Sequence, residues 1–194
     1  MSGSFDPMTV AHGALAEALR AEAADPVLLV YSPRTIPKDP GAEPPLLRPE
    51  ERLASVAAWC ESRPGFLPAV CSHGLYVDQA EAAARVFPAA EIVLALGADK
   101  VLQLFDPSWY EDLDGALDRL FQRATVVYAP RGGQEEAVER VVGRHGAWTS
   151  RVTRVALQDD LSDVSSSEVR RRVRGGQDVA SSVPPEILPF LPPS

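Results

Sequence analysis

Three short apolar runs constrain the fold of this chain most: PVLLVYS at 26–32, EIVLALG at 91–97 and ATVVYAP at 124–130. Each is too short for a stable helix and is apolar on both faces. That is the pattern of a strand buried on both sides of a sheet. Helical stretches separate them. In VAHGALAEALRAEAA at 10–24, Val10, Ala14, Leu15, Ala18 and Leu19 recur at helical spacing. Residues 48–62, 78–87 and 133–145 read as helices, and 106–121 reads as helical at least in part. GFLPAVCS at 65–72 and RVTRVALQ at 151–158 are weaker strands. A short helix is expected after the serines at 165–167 and another after VPPE at 183–186. Strands alternating with helices predict a parallel sheet covered on both faces. Right-handed crossovers make that an α/β, doubly wound fold. The 194 residues suit a single domain spanning 1–194.

Composition narrows the function classes. No apolar run reaches the ~18 residues of a membrane span, and the N-terminus lacks a signal-peptide pattern, so a cytoplasmic protein is expected. Cys60 and Cys71 make neither a disulfide framework nor a zinc pattern. With only His12, His73 and His145 besides, no structural metal is expected. The formal net charge of −8 argues against a broad nucleic-acid surface. It leaves room for a local basic pocket, for which VRRRVRGG at 169–176 is the candidate.

Parallel sheets bind ligands beyond the carboxyl ends of their strands. The stretches at 2–12, 32–47, 97–110 and 159–168 are therefore the ones to watch. Residues 33–47 carry five prolines and one glycine, so they read as a loop. In SGSFDPMTVAH at 2–12, Gly3 permits an unusual backbone and Pro7 stiffens the turn. His12 falls in the first helical turn, where unpaired N–H groups and the helix dipole favour an anion. Thr9 or Ser4 can add a hydroxyl. The plainer reading is an Asp6-Pro7 turn and a helix capped by Thr9. In DVSSSEVRRRV at 163–173, Ser165 with Glu168 three residues on forms a capping box. Ser165, Ser166 and Ser167 exceed what a cap needs, and Arg170 follows a turn later. Together they could hold a triphosphate. The plainer reading is a capped surface helix with a solvated arginine face.

Taken together, the two stretches resemble a known family. GSFDPMTVAH resembles the first signature, G-[ST]-F-D-P-x-[HT]-x-G-H, of the nucleotidyltransferases with a histidine-bearing loop. VSSSEVR resembles their second, I-S-S-T-x-[IV]-R. LGADKVLQLFDPSWYEDL, between them, is similar to the G-x-D…W stretch of the nicotinate and nicotinamide mononucleotide adenylyltransferases. VPPEILPFL is similar to their closing helix. The resemblance covers essentially the whole chain and implies a Rossmann-like nucleotidyltransferase fold.

It also implies a reaction. Such enzymes join a phosphate-bearing substrate to the α-phosphate of ATP and release pyrophosphate, with Mg2+ accompanying the ATP. The nucleophile is an ionised phosphate oxygen, so no general base is required. By motif, His12 contacts the ATP phosphates, with Thr9 at the family's first histidine position and Phe5 in the same ATP-binding loop. Ser4 lies near the substrate phosphate. Ser165, Ser166 and Ser167 cradle the β- and γ-phosphates, and Arg170 pairs with them. Gly97 and Asp99 hold the ribose. Trp109 stacks on the nicotinate or nicotinamide ring, and Lys38 reaches phosphate from the 33–47 loop. Asp99 as a plain helix cap, Trp109 as core and Lys38 as a solvated lysine are the alternatives.

Four departures from the family's pattern stand out. Ala11 replaces the loop glycine. The 33–47 loop lacks P-P-H-K. Trp109 lies farther beyond Asp99 than in the family. Only Met1 and Ser2 precede Gly3, where a central strand is expected; the sequence therefore suggests a missing first strand and a start farther upstream. The implied partners are ATP and a phosphorylated small molecule, with homo-oligomerisation left open. Rival readings are a pantetheine-phosphate adenylyltransferase, favoured by Thr9, a cytidylyltransferase, a nucleotide-binding protein without catalysis, and an RNA-ligand module.

Overall fold

The computed structural model describes residues 1–22, 25–33, 44–130, 133–155, 161 and 164–192. In chain order the strands are β1 (Ser2–Gly3), β2 (Val27–Tyr31), β3 (Phe66–Val70), β4 (Ile92–Gly97), β5 (Ala124–Ala129) and β6 (Val152–Arg154). The helices are α1 (Val10–Glu22), α2 (Pro49–Glu61), α3 (Tyr76–Val86), α4 (Ala98–Leu104), α5 (Leu113–Phe121), α6 (Glu135–Arg144) and α7 (Ser166–Arg174). Short 3₁₀ segments cover Pro107–Trp109, Gly146–Arg151 and Pro185–Phe190. Among the described residues every strand pairing is parallel, in two three-stranded sheets ordered β1-β2-β3 and β4-β5-β6. Parallel strands alternating with helices are the α/β arrangement that the sequence pattern predicts.

The chain divides into two compact units. One combines Met1–Ser72 with Asp159–Ser194, and the other is His73–Gln158. In the first, β2 alternates buried and half-buried positions, with Val27, Leu29 and Tyr31 inside. β1 is where the sequence suggests that a strand is lacking. Two residues form it: Ser2 lies opposite Val30 and Gly3 opposite Tyr31. The Val30 N–H donates to the Met1 carbonyl at 2.8 Å, and the Met1 amine donates to the Leu28 carbonyl at 2.8 Å. The tail is pinned to α2. Ile187 is fully buried. Arg63 donates to Glu186 at 2.7 Å while its guanidinium lies 4.5 Å from the Trp59 ring. The helix expected after VPPE is a 3₁₀ segment, with Pro189 inside it.

The second unit is organised by an apolar cluster. Val101, Leu104, Leu117, Leu120 and Val126 are wholly buried, with Phe105, Phe121 and Leu96 nearly so. β4 and β5 pair along six positions, from Ile92 with Ala124 to Gly97 with Ala129. One segment differs from the sequence reading, and a second, 106–121, is helical in part as expected. Residues 98–104, expected within a loop, form α4. The stretch 106–121 is broken: a 3₁₀ turn at Pro107–Trp109, then α5 from Leu113, capped by Asp112 accepting from the Gly115 N–H at 3.0 Å.

Candidate active site

The N-terminal turn is tightly built. Phe5, fully buried, adopts φ 44°, a conformation that non-glycine residues rarely enter. Such strain costs roughly 1–3 kcal/mol and persists only where the surroundings impose it. Its ring lies 3.1 Å from where a Cβ on Gly3 would stand, so a side chain there would press on the buried ring by a few tenths of an ångström. The ring also meets the edge of His12 at a centroid distance of 5.6 Å. The Asp6-Pro7 peptide is cis.

Thr9 is buried and ends the turn, with α1 starting at Val10. Its carbonyl accepts from the His12 and Gly13 N–H groups at 3.0 and 3.2 Å. Its own N–H donates to His12 Nδ1 at 3.1 Å, and its hydroxyl lies 2.7 Å from the same nitrogen. The Val10 N–H donates to the Ser182 carbonyl at 3.1 Å.

The second signature arrives from more than 150 residues away. At the head of α7, Ser165 accepts from the Glu168 N–H at 3.1 Å. The capping box expected here is only half formed. The Glu168 carboxylate turns to Arg171, at 2.6 Å, and this pairing lowers its pKa. Ser166 donates to the Pro7 carbonyl at 2.9 Å. Arg170 donates to the Asp6 carbonyl at 2.8 Å and to the Ser167 hydroxyl at 3.0 Å. Its buried Nε–H has no hydrogen-bond acceptor among the described residues. The two ends of the chain therefore meet in one unit, on consecutive carbonyls of the turn.

Asp6 is the residue that sequence reasoning overlooked. Its buried carboxylate accepts from the Leu47 N–H at 2.7 Å and the Leu46 N–H at 3.1 Å. It also faces two guanidinium groups, Arg52 at 3.6 Å and Arg170 at 3.7 Å. Arg52, itself buried, donates to the Leu47 carbonyl at 2.8 Å. One carboxylate thus ties the turn, the approach to α2 and the head of α7 together. The sequence signal was only an Asp-Pro turn; its partners are distant in the chain.

The remaining candidates are placed as follows. Ser4 is half-buried in the turn beside Phe5. Gly97 immediately precedes α4, and a Cβ there would stand 2.8 Å from Asp99 Oδ1 in the helix's first turn. The carboxylate therefore lies over the glycine, and a side chain there would have to displace it. Trp109 is half-buried at the end of the 3₁₀ turn. Ser108 and Trp109 hydrogen-bond the Asp106 carboxyl and hold it below the usual carboxylate range. Lys38 lies outside the described residues. Among the described residues no three His, Cys, Asp or Glu side chains group as metal ligands, and no helix is long and apolar enough to cross a membrane.

A parallel α/β fold whose opening turn and late helix converge in one unit, with a histidine in the first turn of α1, is an arrangement suited to holding a phosphate group. The family follows from comparison with known proteins. The model of the cytidylyltransferase-like family matches residues 1–172, and the chain belongs to that family. A relative from Gemmatimonas aurantiaca, named "Probable nicotinate-nucleotide adenylyltransferase", is 30% identical over 97% of this chain and 86% of its own length. One from Thermomicrobium roseum with the same name is 27% identical over 94% and 82%. The solved structure described as "a Putative Nicotinate-nucleotide Adenylyltransferase from Vibrio parahaemolyticus" aligns over 97% of this chain and 94% of that one. Its identity is 13% and its TM-score 0.47.

Proposed function

We propose that this nucleotidyltransferase transfers the adenylyl group of ATP to nicotinate or nicotinamide mononucleotide, a step of NAD biosynthesis. The observation that carries this reading is the convergence of Arg170 and Ser166 on the Asp6 and Pro7 carbonyls. It joins a helix N-terminus, a guanidinium with donor capacity to spare and the His12 turn in one unit. The names of the two relatives supply the substrate class.

In the reaction, a phosphate oxygen of the mononucleotide attacks the α-phosphorus of ATP. A new P–O bond forms, the bond to the bridging oxygen breaks, and pyrophosphate leaves with the electron pair. The chain's task is alignment and stabilisation of negative charge. His12 donates to the ATP phosphates. Arg170, Ser167 and the backbone amides of α7 hold the β- and γ-phosphates. Ser165 and Ser166 shape that end by capping the helix and pinning it to Pro7. Ser4 and Phe5 form the turn against which the phosphates rest. Asp99, over Gly97, accepts from the ribose hydroxyls, and Trp109 stacks on the pyridine ring. Mg2+ enters as the counter-ion of ATP. The Asp6 oxygens are taken by amides and face guanidinium groups, so they do not suit it.

The test is pyrophosphate release from MgATP with nicotinate mononucleotide, nicotinamide mononucleotide or phosphopantetheine offered separately. Release with either mononucleotide, and loss of turnover far exceeding loss of binding in His12→Ala, is the expected result. Release with phosphopantetheine alone would reassign the substrate.

A further inference from the structure

At an ordinary helix start, a Ser or Thr hydroxyl takes the N–H three residues ahead. A Glu or Gln at that position then reaches back to the N–H of the capping residue. In this chain an imidazole makes the return bond. The Thr9 N–H donates to His12 Nδ1 at 3.1 Å, and the His12 N–H approaches the Thr9 hydroxyl at a long 3.4 Å. A backbone N–H can only donate. Nδ1 must therefore present its lone pair and carry no proton. With Nδ1 unprotonated, the Thr9 hydroxyl, 2.7 Å from the same nitrogen, is the donor of that contact, and the two donors share one lone pair. A neutral imidazole so held has its one proton on Nε2. Thr9 is buried, so its hydroxyl cannot readily turn to water instead, and the Phe5 ring packs against the imidazole at a centroid distance of 5.6 Å.

We infer that Thr9 is a positioning residue: its N–H and hydroxyl hold His12 as the neutral, Nε2-protonated tautomer, aimed as a hydrogen-bond donor. This rests on the reading of His12 as the group that meets the ATP phosphates and assigns Thr9 a role that does not touch substrate. A neutral donor suits the chemistry. The nucleophile is already ionised and the leaving pyrophosphate needs no proton, so a fixed N–H is required and a proton shuttle is not.

Two measurements test it. Long-range proton–nitrogen NMR on protein labelled with 15N-histidine distinguishes the tautomers, with His12→Ala identifying the His12 signals among three histidines. The expected result is a bare Nδ1 and a protonated Nε2. A proton on Nδ1 would overturn the inference. The second is a double-mutant cycle on pyrophosphate release. Thr9→Val, nearly isosteric, should lower kcat roughly 10- to 100-fold through a misplaced ring, leave the KM for ATP nearly unchanged and perturb the His12 nitrogen shifts. Thr9→Ser should restore all three. In the His12→Ala background Thr9→Val should cost nothing further; an undiminished loss there would mean that Thr9 acts on substrate directly. If the wild type releases no pyrophosphate, the proposed function fails, and the NMR measurement still decides the tautomer.

Discussion

The two compact units share a plan of three parallel strands and flanking helices, yet they are held together differently. Of the buried polar or charged residues described, Asp6, Thr9, Ser32, Arg52, Ser55 and Ser182 lie in the unit that carries both signatures. Only Gln79 lies in the other. The second unit relies on an apolar cluster running from Tyr76 to Val142. Burying polar groups is costly unless each is satisfied. A fold does not need that cost, as the second unit shows. The first unit accepts it where a turn, the approach to α2 and the head of α7 must meet in one geometry.

Removing the shared carboxylate tests this contrast hardest. Asp6→Ala should destabilise by about 3–5 kcal/mol, because Arg52 and Arg170 would face each other without their counter-charge. Chemical denaturation would read it. A loss under 1 kcal/mol would mean that the network is ornamental. Leu117→Ala is the matching cut in the apolar unit. Leu117 is wholly buried, and the substitution should cost about 2–5 kcal/mol. Below its new melting temperature this variant should keep the wild-type KM for both substrates, whereas Asp6→Asn, which retains an acceptor for Leu47, should still raise the KM for ATP through Arg170.

Gly97→Ala offers a subtler comparison within the second unit. The added methyl would strike Asp99 Oδ1, the end of a side chain that can swing away. Stability should change by no more than about 1 kcal/mol, roughly the Gly/Ala backbone effect. The KM for ATP should rise, because the displaced carboxylate leaves the ribose. An unchanged KM would remove Asp99 from the nucleotide site.

The same contrast explains what could be read in the sequence. β2, β4 and β5 were legible because strands with no exposed position on either face write an unbroken apolar run. The two signatures were legible because a glycine, a histidine and a serine cluster have local reasons to stand where they do. β1 was not, since two residues carry no periodicity and its pairing with Val30 and Tyr31 is tertiary. α4 was only half visible, because 97–110 read as a loop at a strand end and Asp99 as a helix cap was the alternative. Asp6 was invisible as a hub: an Asp-Pro pair signals a turn, while Arg52 and Arg170 are distant in sequence and nothing local marks them as its partners. The Ser165–Glu168 pair misled, because Arg171 offers the carboxylate a stronger partner than the cap N–H does.

The smallest effect separates the units most cleanly. Each has a helix capped by a side chain: Ser165 accepts from the Glu168 N–H at 3.1 Å ahead of α7, and Asp112 from the Gly115 N–H at 3.0 Å ahead of α5. Ser165→Ala and Asp112→Ala each remove one such bond and should each cost about 1 kcal/mol. Equal stability losses make activity the discriminating measurement. Frayed, α7 would loosen Ser166 from Pro7 and Arg170 from the Asp6 carbonyl, so Ser165→Ala should lower kcat/KM for ATP several-fold. Frayed, α5 disturbs none of the residues assigned to the reaction, so Asp112→Ala should leave kcat/KM where it was. Should both variants lose activity alike, the polar network of the first unit would be no more tied to catalysis than a surface cap is, and its burial would need another cause.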